Sequence, residues 1–350
     1  MILKIKKRKF DFFNSFQLNL KYDSVASTFS FNAYFNPENK DHKDLLHIGH
    51  FHPVTVEHND ELLVSGVLLS ETFRHSSVKE LTSLGGYSLP GVLEDSQIPT
   101  SIYPLQSDGL SLREIAQKII RPFNLEMVID PVVRKKMNAV YDTSTANELQ
   151  PIKAYLSELA SQKNIILSHT PEGKLLFTQA NTKKTPIIDF NIPEGGSIPG
   201  TSMSLSFNGQ RMHSQITVLK QAGISGGNAG EITVTNPFVP FTFRPKVLVQ
   251  NSGDDNDTRQ AAKNALAKEL QNIKLKIPTD RWEVDGKIIK PNNIVSVINP
   301  DIFLFKKTNW FIESINFTGN EKRTTAVLNC VLPEVYNGKT PINIFENELS

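Results

Sequence analysis

Apolar positions in two stretches of the chain, 40 residues apart, follow one pattern. Leu112, Ile115, Ala116, Ile119 and Ile120 are followed by Asn124 and then by Leu125 and Met127. Ile152, Tyr155, Leu156, Leu159 and Ala160 are followed by Asn164 and then by Ile165 and Leu167. Spacing of three and four predicts a helix that buries one face. An asparagine suits a left-handed helix stop, and the apolar run after it predicts a strand. Ser111 and Glu114 have the spacing of a capping box, in which hydroxyl and carboxylate each satisfy a free backbone N–H.

Period-two alternation dominates elsewhere. Phe29, Phe31, Ala33 and Phe35 alternate with Ser30, Asn32 and Tyr34, and Asn36-Pro37 breaks the run. Val54-Thr55-Val56 and Leu62-Leu63-Val64 flank Asn59-Asp60, the pattern of a hairpin. Residues 81–99 hold Gly85, Gly86, Pro90, Gly91 and Pro99, and read as a loop-rich connection with short β pieces. Residues 169–174 read as a turn between two strands. Residues 186–250 return to β patterning, interrupted at 223–230 by four glycines in eight residues. A third helix is expected at 258–275, with Ala262, Ala265, Leu266, Leu270 and Ile273 on one face and Asp254, Asp255 and Asp257 at its N-terminus. Residues 282–332 read as strands again, followed by a polar tail.

At 350 residues, two to four domains are expected. Hydrophobic content of 39% with 21% charged residues describes a folded chain. Thirty-eight basic and 36 acidic residues nearly cancel, which argues against a dedicated nucleic-acid binder. The basic opening Lys4-Ile5-Lys6-Lys7-Arg8-Lys9 reads as a solvated edge strand. Cys330 is the single cysteine, so neither a disulfide nor a multi-thiolate metal site forms, and its apolar neighbours predict a buried, inert thiol. The N-terminus lacks the apolar region of a signal peptide and no run has the ~18 apolar residues of a spanning helix, so folding in a reducing cytosol is expected.

Candidate chemistry is sparse. Six of eight histidines fall between residues 42 and 75. In a strand His50 and His52 would share a face, as two metal ligands could, but no cysteine or helical H-E-x-x-H spacing accompanies them. Solvent-facing strand histidines are the expectation, with His50 and His52 as minority metal candidates. The glycines of residues 85–91 lack the Lys-Ser/Thr of a phosphate loop and the pattern of a nucleophile elbow. Glu94 and Asp95, if in a strand, would point to opposite faces. Trp282 and Trp310 read as core or interface anchors. No catalytic residue, cofactor or metal site is assigned.

The order of the pieces is more telling than any one of them. Gly86-Tyr87-Ser88, Leu93-Glu94-Asp95-Ser96, the capped helix and Pro122-Phe123-Asn124-Leu125 follow one another. After these come Pro171-Glu172-Gly173-Lys174, Asn208-Gly209-Gln210, Arg244-Pro245-Lys246, an Ala-rich helix and a strand ending at Trp282. Over roughly residues 20–336 the chain resembles the baseplate (tail-tip) hub proteins of Mu-like contractile-tailed phages, in the superfamily of late-control protein D and the T-even hub. Tyr87 stands where that family has arginine, and Asn124 where it has glycine. The resemblance implies a mainly β fold with an α+β insertion: β-barrel-like tube domains at 1–100 and 185–340, a helix–strand domain at 101–184 and a tail at 341–350. It also implies a structural role for the motif residues, among them Gly86, Tyr87, Ser88, Leu93, Asp95, Pro122, Asn124, Gly173, Gly209, Arg244, Pro245 and Trp282.

By the same resemblance the chain is a non-enzymatic homotrimer whose duplicated barrels give a pseudo-six-fold ring. The ring would join the tail tube protein above to a separate trimeric spike below. Baseplate wedge proteins and a tape-measure protein in the lumen are further implied partners. DNA would pass without sequence-specific contact, and the chain would belong to the virion after assembly in the host cytoplasm. A tail-tip cell-wall hydrolase and a receptor- or carbohydrate-binding tail protein are the alternatives.

Overall fold

The computed structural model describes residues 1–10, 12–75, 77, 81–103, 106–141, 146, 150–220, 231–250, 255–320, 322–339 and 341–345. Strands β1 (Ile2–Ile5) and β2 (Arg8–Phe10) form a hairpin turned by Lys6 and Lys7, both at positive φ. Leu3, Ile5 and Phe10 face the core, and Lys4, Lys6 and Arg8 face outward to pair with Glu57, Asp44 and Asp41. The basic opening expected as one edge strand is thus a hairpin: β1 is paired on both sides, by β5 and β2, and only β2 is an edge of the main sheet. β3 (Phe13–Lys21) precedes β4 (Thr28–Ala33), which alternates as predicted, and Asn39 caps α1 (Lys40–Leu45) by accepting from the N–H groups of Asp41 and His42. β5 (Pro53–His58) and β6 (Glu61–Thr72) form the expected hairpin; Asn59 and Asp60, at φ 47° and 62°, supply the turn that matches strand twist.

Within the stretch expected as a loop-rich connection with short β pieces, residues 82–88 make one continuous strand. They form β7 (Thr82–Ser88), paired with β4 on one side and β6 on the other. The glycines are there for close approach: a Cβ on Gly86 would lie 2.0 Å from the Val67 carbonyl oxygen and 2.7 Å from the Phe29 ring. Glu94 and Asp95 follow on a short helix, α2 (Val92–Asp95), and not on a strand.

Both helix–strand units form as read. Ser111 and Glu114 complete their capping box on α3 (Leu112–Ile120), Asn124 sits at φ 53°, and β8 (Met127–Ile129) follows. After α4 (Arg134–Met137) comes the second unit, α5 (Ile152–Gln162), Asn164 at φ 51° and β9 (Ile166–His169), with β10 (Leu175–Thr178) beyond the predicted turn. β10 lies between the other two strands, parallel to β8 and antiparallel to β9, so the two units run in opposite directions. Their helices bury a core of their own around Leu112, Ile115, Leu156 and Phe177, joined by Val25 and Leu93.

Beyond β11 (Ile188–Asn191) and β12 (Ser204–Phe207), strands β13 (Gln215–Lys220), β14 (Glu231–Thr235) and β15 (Pro245–Gln250) make a separate three-stranded sheet that packs on α6 (Asp255–Glu269). The glycine-rich segment 223–230 lies outside the described residues, as do Asp254 and the side chains of Asp255 and Asp257. The third helix ends earlier than expected. A 3-10 turn at residues 270–272 leads into β16 (Ile273–Thr279), where Ile273, Leu275 and Ile277 are buried and Lys274 and Lys276 exposed. Ile273 fits the helical spacing and the strand alternation equally well, and the lysines on either side of Leu275 mark the change of period.

The chain closes with β17 (Glu283–Val284), β18 (Lys287–Ile288), β19 (Ile294–Asn299), the 17-residue β20 (Leu304–Asn320), β21 (Thr324–Val331) and α7 (Glu334–Asn337). Thirteen strands form one sheet whose main path runs β12-β16-β21-β20-β3-β4-β7-β6-β5-β1-β2. β20 takes β21 along one edge; along the other it takes first β19, itself paired with β11, and then β3. Among the described residues neither half closes into a barrel: one core, from Leu3 to Leu332, lies against a sheet shared by both ends of the chain. Trp310 is fully buried in it, and Trp282 packs edge-on against Phe16 and Phe317.

Candidate functional site

Most of the motif residues assemble in two places. The first is a junction where the end of β7, the loop at residues 22–27, α2 and the β8–β10 sheet meet. Ser88 is fully buried; its Oγ accepts from the Ser27 N–H at 3.0 Å while its own N–H donates to the Ser27 carbonyl at 2.9 Å. Ser27 Oγ accepts from the Lys21 N–H and lies 2.8 Å from His169 Nε2. His169 Nδ1 is 2.8 Å from the Ser24 carbonyl, which can only accept, so Nδ1 carries the proton and Nε2 accepts from Ser27. Burial holds the His169 imidazole below the usual histidine value, in keeping with a neutral ring. Beside this seam the Tyr87 hydroxyl donates to Asp95 at 2.8 Å, Lys153 pairs with Glu94, and Leu93 enters the helix–strand core. Gly173 turns at φ 82° against Leu89 and the Ser65 carbonyl.

The second place is the base of the small sheet. The Arg244 guanidinium donates to the carbonyls of Gly209 and Gln210, at 3.1 and 2.7 Å, and Pro245 begins β15. The buried Glu269 carboxylate gathers the His213 N–H, His213 Nδ1 and Lys246 Nζ within 3.0 Å. Trp282, in the core, and Pro122 and Asn124, at the end of α3, stand apart from both groups.

The histidine segment differs from its expected form. His50 and His52 lie in the turn before β5, so the strand alternation that would align them does not apply. His47 and His50 are exposed and stack with ring centroids 3.7 Å apart; His52 is buried, with Nε2 on the Asp44 carbonyl. Desolvation, followed by the neighbouring His47 and His52, pushes the His50 value down. His42 is buried in α1 and accepts from the Asn36 N–H, and His58 bonds Glu283. Among the described residues no group of three or more His, Cys, Asp or Glu side chains is arranged to hold a metal.

Residues that pattern reading did not single out include His169, Ser27 and Glu269. Glu269 had a detectable signal, since it flanks the buried stripe of α6 three positions after Leu266. His169 had none, because its partners lie more than 140 positions away. At the far side of the junction Tyr336 donates to Glu313 at 2.8 Å, and burial pushes the Tyr22 hydroxyl up to about 12. The Tyr22 hydroxyl has no hydrogen-bond partner among the described residues, but Ser27, Ser88, His169 and Tyr336 are each held by another part of the same chain, so the junction fixes how the helix–strand region sits on the sheet.

No protein-family model matches the chain, and comparison with curated proteins gives no match. Solved structures do match. The 43 kDa tail protein of prophage MuSo2 from Shewanella oneidensis is 16% identical, with a TM-score of 0.79 over 96% of this chain and 99% of that one. A tail protein from Neisseria meningitidis MC58 is 17% identical, with a TM-score of 0.79 over 97% and 98%. A type VI secretion component of E. coli, described as structurally similar to the T4 phage tail proteins gp27 and gp5, is 11% identical, with a TM-score of 0.53 over 98% and 80%. No helix among the described residues is long and apolar enough to cross a membrane. From one end to the other, the chain has the fold of prophage tail proteins.

Proposed function

We propose that this chain is a structural, non-enzymatic hub of a phage-type contractile tail. Three copies would form a ring with pseudo-six-fold symmetry, with the halves at residues 1–100 and 185–340 as similar tube segments and residues 101–184 as a module between them. The ring would join the tail tube to a separate trimeric spike, contact baseplate wedge proteins and let DNA pass. The observation that carries the reading is the end-to-end match to two tail proteins, which leaves almost none of either chain uncovered. The motif residues support it, since Tyr87, Ser88, Asp95 and Arg244 spend their polar groups on partners within the chain.

Native mass measurement of the purified chain, alone and with the tube and spike proteins, tests this. The expected species has three times the 39.2 kDa chain mass and images as a ring, with more than about 2,000 Å² buried at an obligate interface. A chain that stays monomeric at high concentration, and forms no ring with either partner, overturns the reading.

A further inference from the structure

On the side of the main sheet away from the core, β21, β20, β3, β4 and β7 line up their outward side chains in four rungs. One central rung runs Val327, Asn316, Asn19, Thr28 and Tyr87, and the next runs Thr325, Thr318, Gln17, Ser30 and Gly85. Beyond them lie Asn329, Ser314 and Lys21 at one end, and Asn320, Ser15, Asn32 and Ser83 at the other. Leu18, Phe31, Phe317 and Leu328 on the opposite face are buried, whereas Gln17, Lys21, Thr28 and Asn320 are exposed. Strand spacing and rise make this a patch of about 20 Å by 20 Å. Lys21 is its one charge. An ordinary protein surface is about 25–35% charged, so a patch of this size would carry about five. Its polar groups bond sideways along the face: Asn32 links Ser15 to Ser83, Thr318 meets Thr325 at 2.7 Å, and Asn329 donates to Ser314. Charges return at the rim, where Arg74 reaches Ser83 and Arg323 pairs with Asp280.

Such a face suits neither kind of lasting contact. The centre of a protein interface is rich in aromatic and apolar side chains, and here only Val327 and Tyr87 are large and apolar. A surface that holds nucleic acid does so with lysines and arginines on the phosphates, and a row of carboxylates would repel them. We propose that this face is turned to the channel of the ring, where double-stranded DNA slides past it; the assignment rests on the ring reading above. A 20 Å length of duplex carries about twelve phosphates. Against them each chain sets one lysine, together with hydroxyls and amides that hydrogen-bond to one another. The wall stays wet, and a phosphate finds no cation to stop at on the two central rungs. Any charge added there would appear three times around the channel, so even a small departure from neutrality would be felt by passing DNA.

Binding of DNA to preassembled rings of the full chain, their mass checked first, tests the assignment. Gln17→Lys with Thr28→Lys, both at exposed positions, adds two lysines per chain and so six per ring. The variant ring should hold a short linear duplex at least about tenfold more tightly than the unaltered ring, and lose roughly 10³-fold in affinity between about 50 and 200 mM salt. Closed circular DNA has no end to thread through a ring, so it should gain no such affinity. Gln117→Lys with Gln162→Lys, exposed on the helix–strand region, should not reproduce the preference for linear DNA. Where the first pair disrupts the ring, Thr28→Lys with Asn320→Lys takes its place. Equal gains on linear and circular DNA would put the face on the outside, and overturn the proposal while the ring stands. Tight, salt-sensitive binding of linear DNA by the unaltered ring overturns it too. A chain that forms no ring overturns the reading on which the proposal rests, and the proposal with it.

Discussion

Replacing Ser88 by alanine removes one oxygen from a site with no solvent exposure, where that oxygen accepts the Ser27 N–H at 3.0 Å. Ser27 is itself buried, so the stranded N–H has no water to turn to. An unmade buried hydrogen bond of this kind costs about 1–3 kcal/mol. The neighbouring motif residue gives the contrast. Tyr87→Phe removes a hydroxyl whose bond to Asp95 lies at the surface, where water replaces it and the loss is about 0.5–1 kcal/mol or less. Urea unfolding followed by tryptophan fluorescence measures both, since Trp310 is fully buried in the core, and an unchanged slope shows that the midpoints report stability. The alanine variant should therefore have the lower midpoint by a clear margin. If the two variants agree within about 0.5 kcal/mol, the scatter of ordinary surface changes, the seam at Ser88 does not hold the junction.

Acid should weaken the same seam. The folded His169 value is depressed below 6.5, so the unfolded chain binds the extra proton first; the stability His169 contributes is full above about pH 6.5 and is lost as pH falls toward the folded value. Urea midpoints measured from pH 8 downward should show this loss, and His169→Gln should remove that part of the slope. Gly86→Ala should cost more than the about 1–3 kcal/mol of ordinary overpacking, because its Cβ meets backbone on the adjacent strand, whereas Gly109→Ala, at φ 71° but in open space, should cost only about 1 kcal/mol; thermal melts compare them. Cys330, buried and with its thiol value pushed up by burial, should react with a thiol reagent only when urea unfolds the chain, and reaction at the rate of a free thiol in the native protein would contradict that burial.

Features written in neighbouring residues were legible. The two helix–strand units needed only a spacing of three and four, a capping pair and an asparagine stop, and each formed as read. The Asn59-Asp60 hairpin is local in the same way. The length of β7 was not legible, because Gly86 is there for a contact with Phe29 and the Val67 backbone, and the same letters spell a loop-rich connection with short β pieces when that contact is unseen. His50 and His52 failed for a related reason: their alternation has meaning only inside a strand, and the strand begins one residue after them. The junction lay further out of reach, since Ser88, Ser27 and His169 meet through pairings no window of local sequence contains. The smaller sheet was seen as strands, but nothing in its alternation set it apart from the main sheet.

The long strand β20 has a mechanical consequence. Its later half is laced to β3 from Ser314 opposite Lys21 to Asn320 opposite Ser15, so the first twenty residues of the chain are bound to the last fifty by one ladder. A pull along the strand axis loads every rung of that ladder together, in shear. A pull across it opens the rungs singly, like a zipper. The molecule is thus stiff along one direction and compliant at right angles to it, and a force applied at either end of the chain reaches the other without passing through the small sheet or the helix–strand region.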